Sequence, residues 1–243
     1  MDPATAEKLI TINKQFYQSF ADHFSETRGR LQPGVIHVLN DFPPADQVLD
    51  LGCGNGLLAQ EIASRELPVH YWGADFSPAL LEKARQRMPE DARADFLALD
   101  ITDPNWDQQL PDCTFDIILC FAALHHIPGR SHRLQICQQV HHLLKPEGMF
   151  IHSNWQFLKS KRLRERILPW GTIDLPEERV DEGDYLMDWR RGGRGIRYVH
   201  HFTEAELRLL AAASDFDIQE TFYSDGKEGN LSIYQYWKPR GNQ

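Results

Sequence analysis

Three carboxylates and a run of glycines are the residues whose order in this chain suggests chemistry. Val48-Leu49-Asp50-Leu51-Gly52-Cys53-Gly54-Asn55-Gly56 reads as a short apolar strand that enters a glycine loop and opens a helix. Glycines there let the backbone turn sharply and come close to a ligand. A dinucleotide fingerprint spaces its glycines G-x-G-x-x-G to seat a pyrophosphate on the helix N-terminus, whereas here the third glycine follows after one residue and position 57 is Leu. With Asp50 ahead of it, the loop suits a ligand whose near end is an amino acid and not a phosphate, which disfavours an NAD-dependent oxidoreductase. Asp75 ends the next strand, where a carboxylate can accept from both hydroxyls of a ribose. Asp100 ends the strand after that, and it can accept from an adenine amino group while Phe76 and Ile101 flank the ring. Glycine turns and aspartates after strands are each ordinary. Their joint occurrence at three successive strand ends is not.

The elements that must position these residues are readable from apolar patterning. Strands are expected at Val48 to Leu51, Val69 to Ala74, Ala94 to Leu99, Phe115 to Phe121 and Met149 to Ser153. Helices are expected between them, at Gly56 to Ser64, at Pro78 to Arg87 with Ser77 as N-cap, and at Ser131 to Leu144. That alternation implies parallel strands with right-handed crossovers. Ahead of it, Leu9, Ile12, Phe16, Phe20 and Phe24 form the stripe of an amphipathic helix from Thr5 to Phe24, and Pro43-Pro44 ends whatever helix covers Pro33 to Leu39. Gln156 to His200 has no clear period and carries ten basic and eight acidic residues, so it reads as an insertion over the active-site edge. A helix from Glu204 to Ala213, capped by Thr203, precedes two strands at Asp217 to Tyr223 and Leu231 to Trp237, which form an antiparallel hairpin.

Length and composition set the outer limits. With 243 residues, 42% hydrophobic and 25% charged, one α/β domain with a sizeable core is expected. Its parts are a helical cover over 1–45, a cofactor-binding core over 46–155, a substrate-side insertion over 156–200 and the terminal helix and hairpin over 201–243. The N-terminal residues lack a long apolar run, so neither a signal peptide nor a membrane span is expected, and the default location is cytoplasmic. Cys53, Cys113, Cys120 and Cys137 are scattered without a CxxC pair, as befits reduced core residues. No histidine shows HExxH or another metal-ligating spacing, so no metal is expected. A formal charge of -9 opposes nonspecific binding to nucleic acid. Any such contact must be local.

The chain resembles the class I S-adenosylmethionine-dependent methyltransferases. Val48 to Gly56 looks like their first motif, Ala74-Asp75-Phe76-Ser77 the second, Leu99-Asp100-Ile101 the third, and Phe115-Asp116-Ile117-Ile118 with Leu124-His125-His126 the fourth; Leu143 to Gly148 resembles the turn before the fifth strand. The resemblance implies a Rossmann-like α/β fold, a seven-stranded, mostly parallel sheet of order 3-2-1-4-5-7-6 that ends in an antiparallel hairpin. It also implies S-adenosyl-L-methionine as cofactor, bound through Asp50, Gly52, Gly54, Gly56, Asp75, Phe76, Asp100 and Ile101, with the methyl group near Cys120, Phe121, Leu124 and Asn154. His125 and His126 are candidate bases or acceptor-orienting groups, or one packs and one caps.

A narrower similarity joins Phe16 to Arg28, Ala123 to Ile127, Trp155 and Arg197-Tyr198-Val199-His200-His201-Phe202 to the methyltransferases that esterify 5-carboxymethyluridine at the tRNA wobble position. On that pattern Arg28 can pair with the methionine carboxylate, Tyr17 adds a hydroxyl nearby, and Arg197 receives the anionic group of the acceptor. Lys159, Lys161, Arg162, Arg164 and Arg166 form one basic cluster, and Arg190, Arg191, Arg194 and Arg197 another, interleaved with Trp189 and Tyr198. These suit RNA backbone and bases, or a solvated face. The expected activity is methyl transfer to an oxygen or nitrogen of a small molecule or of a modified tRNA base, with a catalytically silent cofactor-binding scaffold as the alternative. The residues name no protein partner.

Overall fold

Strand β1 (Gln47–Leu51) is buried along four consecutive residues, a pattern possible only where both faces of a sheet are covered. In the computed structural model, which describes residues 1–27, 29–190 and 192–241, β1 lies between two parallel neighbours. The chain begins with helix α1 (Pro3–Thr27), kinked at Phe20, and α2 (Pro33–Asn40), whose first-turn proline forfeits an N–H that would be unpaired anyway. After β1 come α3 (Leu57–Ser64), β2 (His70–Asp75), α4 (Pro78–Arg87), β3 (Ala94–Ala98), β4 (Phe115–Phe121), α5 (Arg130–Leu143) and β5 (Leu144–Trp155). Ser77 caps α4 as expected, its hydroxyl accepting from the Leu80 N–H at 3.4 Å.

The insertion follows as α6 (Lys161–Arg164), β6 (Ile167–Leu168), β7 (Asp184–Trp189) and β8 (Gly195–His200). Then α7 (Glu204–Ala213), capped by Thr203, leads to β9 (Phe216–Ser224) and β10 (Ser232–Pro239). The main sheet runs β3-β2-β1-β4-β5-β10-β9, the expected order, with β10 antiparallel to both β5 and β9. Leu49, Leu51, Ile118, Phe150 and Trp237 fill one face of it, and Val48, Leu119, Ile151 and Tyr71 the other.

Two expectations need correction. The fifth strand starts at Leu144 and not at Met149: Leu144 pairs with Phe115, the register then shifts, and Met149 pairs with Ile117, so the Pro146-containing stretch bulges from the ladder. The insertion is not periodless, because β6, β7 and β8 form a separate antiparallel sheet in that order. Its strands hide among polar residues, since Asp184, Arg197 and His200 are all buried. The side of this sheet facing α1 packs Leu186 and Tyr198 against Leu9. Among the described residues, no helix is long and apolar enough to cross a membrane.

Candidate active site

The C-terminal ends of β1, β2, β3 and β4 open into a cavity roofed by α1. Open α/β sheets place ligands at this edge. Gly52, Gly54 and Gly56 all have positive φ, at 81°, 57° and 73°, so the loop after β1 is built from left-handed turns that only glycine adopts readily. Their roles differ. A Cβ on Gly52 would come within 2.8 Å of the Ala123 methyl, and one on Gly56 within 2.6 Å of Ala84 in α4, whereas at Gly54 no atom lies within 4 Å. Gly54 faces open cavity; Gly56 lets α3 and α4 approach and does not line the cavity. Opposite the loop, Ala122 takes a positive φ of 53° as the chain leaves β4, its N–H donating to the Ser153 hydroxyl at 3.1 Å. That turn carries Ala123 beneath Gly52.

Asp50, Asp75 and Asp100 all reach the cavity, each with different partners. Asp50 is buried and accepts from the Tyr71 hydroxyl at 2.5 Å. Burial pushes its carboxyl up to about 7, against the Tyr71 bond and with the help of neighbouring Asp75. Asp75 accepts from the Gly54 and Ser77 N–H groups, each at 2.9 Å, so it also fastens the glycine loop. Burial raises it to about 6 in spite of those bonds. Asp100 goes the other way: burial is outweighed by hydrogen bonds from Lys14 and Thr102, and its carboxyl is held below its ordinary value. Its Oδ1 accepts from the Thr102 N–H and hydroxyl, and its Oδ2 meets the Lys14 ammonium at 2.5 Å.

Tyr17, Phe76, Ile101 and His126 complete the part of the expected set that lines the cavity. His126 Nδ1 faces the Tyr198 carbonyl at 3.1 Å and must donate to it, which leaves Nε2 to accept from the Tyr17 hydroxyl at 2.7 Å. Other expected residues lie elsewhere. Cys120 points into the core, fully buried, its thiol pushed up to about 12 by that burial, and it does not line the cavity. His125 is buried behind His126, its Nδ1 accepting from the Trp155 N–H at 3.3 Å. Arg28 and Arg191 lie outside the described residues. Lys14, Asn13, Arg30 and Gln32 line the cavity although nothing in the motifs marked them. A lysine in an amphipathic helix reads as solvated face until the fold sets a carboxylate opposite it.

Arg197, on β8, also lies outside the cavity lining, in a box of rings. Its guanidinium carbon is 4.9 Å from the Trp155 ring centre, 5.5 Å from Phe16 and 5.6 Å from Trp189. The residue is 9% exposed, and its buried Nε has no hydrogen-bond partner among the described residues. Aromatic faces attract a cation but offer no acceptor for its N–H groups. Of the basic residues expected to meet RNA, Lys159 stands 3.5 Å above the Tyr223 ring and Arg190 is paired with Asp188.

Residues 49–150 match the methyltransferase-domain family. An O-methyltransferase of ubiquinone biosynthesis from Xylella fastidiosa is 35% identical over 185 residues, covering 66% of this chain and 72% of that protein. A mouse protein named probable tRNA methyltransferase 9B is 27% identical over 174 residues, 70% of this chain; the chain spans only 36% of that relative's length. Among solved structures, a SAM-dependent methyltransferase from Methanosarcina mazei superposes with a TM-score of 0.65 at 25% identity, covering 87% of this chain and 99% of that one.

Proposed function

Since this chain belongs to the S-adenosylmethionine-dependent methyltransferases, we propose that its acceptor is a carboxylate carried by a modified tRNA wobble uridine. When bound, the cofactor supplies an electrophilic methyl group on a sulfonium, so the residues around it chiefly orient the acceptor and exclude water. The lining fits such a ligand: a glycine loop that leaves open space at Gly54, carboxylates that can accept at three strand ends, and the apolar sides of Phe76 and Ile101. On this reading Asp50, Gly52 and Gly54 hold the amino-acid end, Asp75 the ribose, and Asp100, Phe76 and Ile101 the adenine. Tyr17 covers them, and Arg28 would meet the methionine carboxylate.

Arg197 carries the acceptor reading. A nearly buried guanidinium surrounded by Phe16, Trp155 and Trp189, with an unpaired Nε, is a cation waiting for an anion. A carboxylate fits it in a planar, bidentate manner and needs no base, being ionised at neutral pH. A second reading, methylation of a hydroxyl on a small molecule, is favoured by the identity to the Xylella fastidiosa enzyme and by the Tyr17–His126 pair, which could take the proton that such an acceptor must lose.

The deciding experiment offers radiolabelled S-adenosylmethionine with total tRNA in one arm and a small-molecule extract in the other. Label in tRNA that alkali releases, as it would from a methyl ester, is the expected result. Label confined to the extract overturns the tRNA reading in favour of the second. Tight binding of S-adenosylhomocysteine with no transfer in either arm would mark a silent scaffold.

A further inference from the structure

We propose that Lys14 is a gate on the cofactor cavity: its ion pair with Asp100 holds α1 closed over the cavity and must open whenever the cofactor enters or leaves. The proposal rests on the reading that this cavity takes S-adenosylmethionine. Asn13, Lys14 and Tyr17 lie within about one turn of α1 and all line the cavity; Asn13 and Tyr17 fasten the helix to His126, Asn13 also to β8, and Lys14 alone of the three to the end of β3.

The three attachments differ in strength. Asn13 is buried; its amide donates to the His126 and Tyr198 carbonyls at 2.9 and 3.1 Å and accepts from the Tyr198 N–H at 2.7 Å. That side chain stitches α1 to β8 and serves as the fixed edge. Tyr17 meets His126 at 2.7 Å in partly buried surroundings. Lys14 and Asp100 are 37% and 31% exposed, so theirs is the contact that solvent and salt reach. It is also the contact that spans the cavity to the end of β3.

Asp100 keeps one acceptor site, beside Lys14 on Oδ2. Oδ1 is taken by the Thr102 N–H and hydroxyl, which leaves Oδ2, and Lys14 occupies it at 2.5 Å. A donor arriving from a ligand therefore meets an oxygen already facing an ammonium. Breaking this one exposed pair releases the roof from the end of β3, while Asn13 and Tyr17 keep the helix registered.

The test follows S-adenosylhomocysteine entering and leaving the full-length protein by stopped-flow fluorescence, in wild type, Lys14→Met and Lys14→Arg. Lys14→Met should speed both association and dissociation by about two- to fivefold, the span open to an exposed pair. Lys14→Arg should behave as wild type, and raising salt should move wild type, but not Lys14→Met, toward the faster rates. A gain in association alone also supports the gate, with Asp100 handed from Lys14 to the ligand. Unchanged rates overturn it, and faster dissociation alone overturns it too, since Lys14 would then be only a ligand contact. If wild type fails to bind S-adenosylhomocysteine, the cofactor reading of this cavity falls. The gate is then judged by amide hydrogen exchange in the free protein, where faster exchange across α1 in Lys14→Met supports it and unchanged exchange overturns it.

Discussion

Tyr17 and His126 lie far apart in the chain, yet the hydroxyl of one and Nε2 of the other meet at 2.7 Å inside the cavity. Because the Tyr198 carbonyl fixes the proton on Nδ1 of His126, the bond has a direction, from tyrosine to histidine. Tyr17→Phe keeps the ring that packs on Phe16 and Phe76 and removes only that donor. It should lower stability by about 1 kcal/mol, a typical net hydrogen bond, read by denaturant unfolding. If the acceptor is a hydroxyl, the same change should also lower kcat by about 10²-fold, the lower range of general acid–base catalysis; a carboxylate acceptor would leave kcat nearly unchanged.

Asp50 and Asp75 set a pH dependence whose sign can be worked out. Both are raised by burial, to about 7 and about 6, above the 3.8 of an ordinary aspartate. The unfolded chain therefore loses these protons first, and the two groups cost the free protein stability increasingly as pH rises from about 4 to 7, with no further change above. A ligand that brings an ammonium or hydroxyl donors to them favours the ionised forms. S-adenosylhomocysteine should therefore bind more tightly at pH 8 than at pH 5.5 and release protons near pH 6.5. Calorimetry in two buffers of different ionisation enthalpy measures that release directly; none at all would mean the carboxylates do not face the ligand.

His200 has the opposite sign. Its ring nitrogens meet Asp184 at 2.7 Å and Glu206 at 2.8 Å, an arrangement that only the doubly protonated ring satisfies. Burial disfavours that charge and Arg133 opposes it, yet the two carboxylates prevail and its pKa is raised. The stabilisation is complete below about 6.5 and is lost as pH climbs through the folded value. His200→Gln should cost about 2–4 kcal/mol at pH 6, as expected for breaking a buried charge pair, and clearly less at pH 9. Unfolding curves at both pH values check the difference between differences.

The glycine loop separates backbone demands from ligand demands. Gly56→Ala adds a methyl 2.6 Å from Ala84 at a positive φ, and should destabilise by about 2–4 kcal/mol through strain and overpacking together. Gly54→Ala meets no protein atom, so about 1 kcal/mol of backbone strain is expected. Its main effect should appear in S-adenosylhomocysteine affinity. Thermal melts and titrations on the two variants should rank them in opposite orders.

Much of this was legible in the chain, and for physical reasons. Strands such as Val48 to Leu51 are buried on both faces and so are written as apolar runs, and the backbone twists of the loop can be met only by glycine. The small sheet was not legible because its buried positions are filled by groups that neutralise one another: Asp184 with His200 and Tyr198, and Arg197 with rings. Hydrophobic periodicity is blind to such pairs. Lys14 was illegible for a related reason, since its meaning lies in Asp100, which only folding brings near. Cys120 misled because a position beside the cavity on a strand does not say which way the side chain points.

The first residue of β8 bears on how this chain can drift. Gly195 has an ordinary negative φ, so its backbone would accept any residue, but a Cβ there would fall 2.5 Å from the Phe20 ring and 3.0 Å from Phe16. The position is therefore reserved by volume and not by backbone shape, and the volume belongs to the helix at the other end of the chain. Neither site is free to change alone. An alanine at 195 needs room from both rings, most from Phe20 and a few tenths of an ångström from Phe16, and both rings belong to the helix that roofs the cavity.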